Sequence, residues 1–260
     1  MKIRALSVVG LCFLVMVGLS WKVGAFDETH IKKLKALDRC PSCDLSKADL
    51  NGENLSLVNL SSVDLSGANL SGANLKRTNL TAANLRHANL SGVDLTRAKL
   101  SRVDLTSANL MGANLAGANF SGGNLRHANL TKADLNWAHL NRTDLRQANL
   151  WKADLTHAKL SGADLISANL VEANLTWANL PNANLTGADL TGADLKRTNL
   201  HFTNLTGVDL KEANLKRTNL KRANLTGADL TGARLSGANL TKAIFCETKM
   251  PDGTTNNSDC

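Results

Sequence analysis

From Leu45 to Leu240 every fifth residue is leucine, with Phe120 the one replacement, and the series closes on Phe245. So short and fixed a period marks a solenoid, in which each unit buries its apolar residue only by stacking on its neighbours. Neither regular element can carry it. Five is not a multiple of the two-residue alternation of a strand and loses phase with 3.6 residues per helical turn, so both would scatter the leucines around their surface. A chain that turns a corner in every unit can point them all inward.

The residue two before each Leu is Ala, Val, Thr, Gly or Cys almost throughout, Glu53 being the exception. A small inward residue beside a large one suits a narrow interior. Gly, Asn, Asp and Ser fill the positions between and favour turns. Units such as Ala68-Asn69-Leu70-Ser71-Gly72 and Ala188-Asp189-Leu190-Thr191-Gly192 resemble the pentapeptide-repeat family, over 41 consecutive units from Leu45 to Phe245. The resemblance implies an all-β fold, a right-handed quadrilateral parallel β-helix with four units per twenty-residue coil. Ten coils about 4.8 Å apart would make a rod on the order of 50 Å long, with a filled interior and no internal pocket.

The segments outside the array read differently. Residues 1–25 have the form of an export signal: Lys2 and Arg4, an apolar run from Ala5 to Leu19, and Val23-Gly24-Ala25 as a cleavage site. The run is short for a membrane span, and Cys12 lacks the small residues that a lipid-attachment site would place before it. The expectation is an exported periplasmic or secreted protein, with an uncleaved anchor as the alternative. Within 26–44, Asp27 can cap a short helix whose apolar stripe is Ile31, Leu34 and Leu37, with Lys32, Lys33 and Lys35 on its other side. That helix would cover the first coil.

The tail 246–260 is similar to the closing segment of exported family members. The rod that the resemblance implies would hold Cys40 and Cys43 tens of ångströms from Cys246 and Cys260, beyond the 7 Å or so a disulfide spans. The pairs expected are therefore Cys40 with Cys43 and Cys246 with Cys260, the second pinning the tail over the last coil. Cys40-Pro41-Ser42-Cys43 also has the spacing of a dithiol redox pair. Asp44 stands where covalent haem attachment requires His.

The chain carries 30 basic and 22 acidic residues, a net charge of +8. Cleavage after Ala25 would remove Lys2, Arg4 and Lys22 but no acid, leaving +5. A basic exported protein suits anionic glycans, lipid headgroups or an acidic protein surface rather than nucleic acid. With four units per coil, residues twenty apart form columns. One runs Leu57, Arg77, Arg97, Gly117, Trp137, His157, Trp177, Arg197, Arg217 and Gly237. The adjoining column, just before each Leu, includes Lys99, His139 and Lys159 and no acid from Asn59 to Asn239, whereas the other three sides carry thirteen Asp at equivalent positions. Arg102, Arg142, Lys221 and Arg222 extend the basic side.

These residues compose a basic-aromatic stripe. Guanidinium groups pair with phosphate or carboxylate, and indoles offer flat faces to sugars, bases or cations. The competing expectation is that Trp137, His157 and Trp177 stack on one another to brace the coils. Asp189, Asp209 and Asp229 share another column and could hold Ca²⁺ between coils, although Lys211 lies close and no metal or cofactor is expected. Triplets such as Asn129-Leu130-Thr131 match a glycosylation acceptor only because the repeat spells it. The expected function is a monomeric, non-enzymatic scaffold or binding module, because a filled convex rod offers no concave site. A purely structural envelope protein is the alternative. A minor alternative, implied by the resemblance, is protection of a DNA topoisomerase by a rod that mimics DNA, a role that calls for a strongly negative surface, whereas this chain is positive.

Overall fold

In the computed structural model the described residues are 33–34 and 39–260. Parallel bridges join each residue before a Leu to its counterpart twenty further on, from Arg39↔Asn59 to Asp229↔Lys249. One lap is therefore four units, and the coils stack as a four-sided parallel β-helix. The ladder passes beyond 45–245 at both ends, taking in Arg39 and Cys40 below and Lys249 above.

All five backbone N–H groups of a unit find acceptors. Leu70 donates to Asn89 O at 2.7 Å, Gly72 to Ser91 O at 2.9 Å, Ala73 to Leu70 O at 3.0 Å and Asn74 to Glu53 O at 2.9 Å. The fifth, Ser71 N–H, goes to a side chain, Asn69 Oδ1, at 3.3 Å. Asn or Asp before each Leu is thus the acceptor that completes the unit's account.

The bond from Leu70 O to Ala73 N closes a four-residue turn. Its third residue has positive φ in every such unit while the second does not, which defines a type II corner. Glycine favours that position, yet Trp137 at φ 59°, Arg142 at 55° and Trp177 at 62° occupy it too. Each costs about 1 kcal/mol of backbone strain, repaid by the pairing on either side.

Leucines and small residues alternate around the lumen, and from Leu60 to Leu230 the leucines are essentially excluded from water. Burying each contributes roughly 1.5–3 kcal/mol before chain entropy is set against it. Phe120 is fully buried like the leucines, and the next inward position is Gly123, where a Cβ would stand 2.9 Å from the Phe120 carbonyl oxygen and 3.2 Å from Val103 Cγ1. Buried threonines satisfy their own hydroxyls, Thr78 Oγ1 donating to Leu55 O at 2.6 Å and Thr198 Oγ1 to Leu175 O at 2.7 Å.

The two ends differ. Of the expected capping helix, Lys33 and Leu34 are described, both helical, and Leu34 is buried within the core cluster. Asp27, Ile31, Leu37 and the signal segment 1–25 lie outside the described residues. Cys40 and Cys43 form a disulfide with Cα atoms 5.4 Å apart, and both are buried inside the first coil. At the far end Cys246 is bonded to Cys260, Cα atoms 4.9 Å apart.

β1 (Thr248–Lys249) continues the ladder, and β2 (Thr255–Asn256) pairs antiparallel with it. Phe245 and Asp259 exchange bonds at 2.9 Å in both directions. The tail is thus a hairpin stacked on the end of the ladder, and Leu235, Leu240 and Phe245 are only partly buried.

Candidate functional site

Twenty-residue laps put all ten stripe residues on one side. Arg77, Arg97, Trp137, His157, Trp177, Arg197 and Arg217 occupy the left-handed position of one corner. Lys99, His139 and Lys159 lie in the ladder of the adjoining face, through the bridges Lys99↔Asn119↔His139↔Lys159. The face ends at a second corner, which carries Arg102 and Arg142.

The aromatic centre of the first corner is a closed stack. Trp137 and His157 rings lie 4.1 Å apart and within 8° of parallel, His157 and Trp177 6.1 Å apart, and the Arg197 guanidinium covers Trp177 at 4.5 Å. Ring faces are thus spent largely on one another, although the outer edges of Trp137 and Trp177 stay about half exposed.

The cations are a different matter. None of Arg77, Arg97, Lys99, Arg102, Arg142, Lys159, Arg197 or Arg217 has an ion-pair partner among the described residues. Ion pairs gather elsewhere, as in Lys76 with Asp94 at 3.0 Å, Arg86 with Asp104 at 3.2 Å and Lys152 with Glu172 at 3.1 Å. Arginine stems instead lie over glycines of the next coil. A Cβ on Gly117 would meet Arg97 Cγ at 3.4 Å, and one on Gly162 would meet Arg142 Cγ at 3.7 Å.

Replacing Asn or Asp in the ladder has a consequence that composition does not reveal. Where Lys99 and His139 stand, no carboxylate or amide oxygen is left for the N–H two residues on, and Ser101 N–H and Asn141 N–H have no acceptor among the described residues. At Lys159 the gap is bridged from the coil below, Ser161 N–H donating to Asn141 Oδ1 at 3.1 Å. Over the next unit of the face Asn179 precedes Pro181, which has no N–H to satisfy.

Two shallow depressions flank the face. One of about 540 Å³ is lined by Ser121, Gly122, Asn141, Arg142 and Ser161. Another of about 420 Å³ lies at the first corner against Leu57, Lys76, Arg77 and Arg97. Burial, reinforced by the charge of Lys159, lowers the pKa of His139 below the ordinary histidine value. This imidazole is therefore held neutral to lower pH than usual.

In the aspartate column on the opposite side, Asp209 and Asp229 are paired with lysines, and Asp189 accepts from Thr191. Lys211 Nζ sits 2.6 Å from Asp209 and 3.5 Å from Asp229, and Lys249 Nζ reaches Asp229 at 3.3 Å. Burial alone would raise the Asp229 pKa, but the Thr231 hydroxyl and amide together with Lys249 and Lys211 hold it at about 2. Of the remaining histidines, His87 and His127 are exposed, and His201 packs edge-on against Phe202 with a buried, unpartnered Nδ1.

The family profile described as pentapeptide repeats matches this chain in eight copies, over residues 42–77, 73–110, 108–147, 138–176, 173–212 and 209–246. Among solved structures, HetL, a pentapeptide repeat protein involved in heterocyst differentiation regulation from the cyanobacterium Nostoc sp. strain PCC 7120, is 35% identical. The match covers 87% of this chain and 98% of HetL, with a TM-score of 0.39. A pentapeptide repeat protein from the Arabidopsis thaliana thylakoid lumen is 34% identical over 39% of this chain and 68% of its own, with a TM-score of 0.32. QnrB1, a plasmid-mediated fluoroquinolone resistance protein, is 21% identical over 67% and 89%, with a TM-score of 0.32. No curated protein matches.

Proposed function

Because the chain belongs to the pentapeptide-repeat family, whose rods are right-handed and four-sided, we propose that it is an exported, non-enzymatic binding rod that holds an extended anionic partner along its basic side. The observation that carries this reading is the segregation of charge. Cations without ion-pair partners among the described residues line one face and its two corners, while on the other sides Asp94, Asp104, Asp144, Asp164, Asp209 and Asp229 are paired with lysine or arginine. Unpaired cations in a column attract anions at range and keep their hydrogen-bond donors available on contact.

Export is supported by the signal-like residues 1–25 and by two disulfides, which persist in oxidising compartments. A non-enzymatic role is supported by the shape of the surface. Both depressions are shallow and open, and His157, one of the two histidines of the stripe, is sandwiched between two indoles. The partners that fit are an anionic glycan, lipid headgroups or an acidic protein.

The aromatic stack favours a second reading for its own part of the stripe, as a brace between coils rather than a contact surface. A purely structural envelope protein is the limit of that reading. Binding of the mature protein to phosphorylated glycan, anionic vesicles and duplex DNA across a salt series tests the proposal. A variant with Arg77, Arg97, Arg197 and Arg217 changed to Ser should lose most of the binding and flatten the salt dependence. Equal binding by both forms would remove the stripe as a binding surface.

A further inference from the structure

The second corner repeats one local arrangement two coils apart. Lys99-Leu100-Ser101-Arg102 is followed twenty residues after Arg102 by Gly122, and His139-Leu140-Asn141-Arg142 is followed in the same way by Gly162. In both, a cationic or protonatable residue has displaced the acceptor from the ladder, leaving the N–H of Ser101 or Asn141 without a partner among the described residues. In both, an arginine stem lies over a glycine, Arg102 Cγ 3.8 Å from a Cβ at Gly122 and Arg142 Cγ 3.7 Å from one at Gly162. Neither arginine has an ion-pair partner among the described residues.

We infer that this corner binds tetrahedral oxyanions, phosphate or sulfate groups borne in series on an extended polymer, through two equivalent positions centred on Ser101-Arg102 and Asn141-Arg142. The inference rests on the binding role proposed for the basic side and specifies its ligand. Asn141 supplies more than its N–H. Its Oδ1 is engaged by Ser161 N–H at 3.1 Å, which leaves the Nδ2 protons as further donors. Lys159 adds charge beside this position, and Lys99 beside the other. A tetrahedral dianion with three free oxygens can use such a set of backbone, amide and guanidinium donors, whereas a carboxylate has two oxygens to offer.

The spacing favours a polymer. Two coils separate the positions, about 9.6 Å along the rod. Ser121 between them is not a third position, because its N–H is taken by Asn119 Oδ1 at 3.0 Å. Pro181 closes the upper end by offering no donor. The nearest acids, Asp104, Asp144 and Asp164 on the next face, are held by Arg86 and Arg146.

The test exploits the fact that consensus residues should fold at least as well. In Lys99→Asn/His139→Asn/Lys159→Asn the ladder acceptors return and the donors are consumed. In Lys99→Met/Lys159→Met charge is removed without introducing a carboxylate or amide oxygen. Titration of the mature protein with inorganic phosphate, followed by amide NMR, should move Ser101 and Asn141 N–H and raise the His139 pKa, with acetate inert at equal ionic strength. The triple Asn variant should lose about tenfold in phosphate affinity, and the Met variant less. Unmoved amides, an equal response to acetate, or full affinity in the triple Asn variant would overturn the inference.

Two carriers of the same chemistry are then separated. Retention of phosphorylated glycan but not of phosphatidylglycerol vesicles supports the polymer, and the reverse overturns it in favour of a headgroup. If the triple Asn variant keeps its polymer binding while the Arg-to-Ser variant of the first corner loses it, this inference fails and the basic stripe survives. If phosphate moves the two amides but no polymer binds, the binding role fails and the oxyanion positions survive.

Discussion

The ladder through Lys99, His139 and Lys159 and the ladder on the opposite side, through Asn169, Asp189, Asp209 and Asp229, share one backbone and one core yet spend their side chains in opposite ways. On the aspartate side each ladder residue accepts the N–H two residues on, as Asn169 Oδ1 does from Val171 at 3.0 Å and Asp229 Oδ1 from Thr231 at 3.0 Å. Lysines then neutralise Asp209 and Asp229. On the basic side that acceptor is given up at Lys99, His139 and Lys159, and the charges that replace it have no ion-pair partners among the described residues. One side is organised for its own stability. The other gives up local hydrogen bonds and leaves donors outward.

The sharpest way to break this contrast is to show that the two sides do not share a core. Leu140 and Leu170 follow His139 and Asn169, and both are fully buried. Leu140→Ala and Leu170→Ala should each cost about 3 kcal/mol in urea unfolding, from lost transfer energy and the cavity left behind. A difference above about 1 kcal/mol would mean that the interior is not uniform.

Acid separates the sides next. Asp229 titrates near 2 in the folded protein against 3.8 ordinarily, so its contribution is complete above pH 3.8 and is lost as pH falls through 2. With screening of the two exposed lysines allowed for, the loss is about 1.5 kcal/mol. Asp229→Asn should flatten that part of the stability profile. His139 works in a different window. Its folded pKa is also depressed, so stability is full above the unfolded value of 6.5 and declines as pH falls below it, and His139→Asn should abolish the decline.

Exchanging the ladder residues tests the contrast directly. Asn169→Lys should orphan Val171 N–H and cost about 1 kcal/mol, while His139→Asn should regain a similar amount by giving Asn141 N–H an acceptor. Thermal or urea unfolding of both variants checks the signs. Loss of stability in both would show that Asn141 N–H is already satisfied.

These contrasts were legible to different depths. The period of Leu45 to Leu240 dictates corners and an inward leucine column without reference to any contact, and the twenty-residue lap sets Trp137 beside His157 and Arg97 beside Lys99. Asn and Asp were readable as turn formers but not as acceptors for one particular N–H. That role becomes visible only once backbone bonds are counted, and it then singles out Lys99, His139, Lys159, Arg234 and Ile244. Positive φ at Trp137 and Arg142 has no local signal, since these residues do not favour it and the ladder imposes it. The close approach of Gly123 to Val103 depends on neighbours a lap apart, and the hairpin of Thr248–Lys249 with Thr255–Asn256 lies outside the repeat that made everything else readable.

The smallest effect concerns the aromatic centre, where the basic side behaves like its opposite by satisfying itself. Arg197 covers Trp177, which stacks through His157 on Trp137. A double-mutant cycle of Trp177→Ala and Arg197→Ser should give a coupling of about 0.5 kcal/mol, the worth of a partly exposed cation–π contact. Measured again with phosphorylated glycan bound, the same cycle shows where the stack belongs. An unchanged coupling means that Arg197 stays on the indole and binding is left to the arginines and lysines around it. A coupling that vanishes means that the guanidinium has moved to the ligand, and the stack is then a reserve of cations instead of a brace.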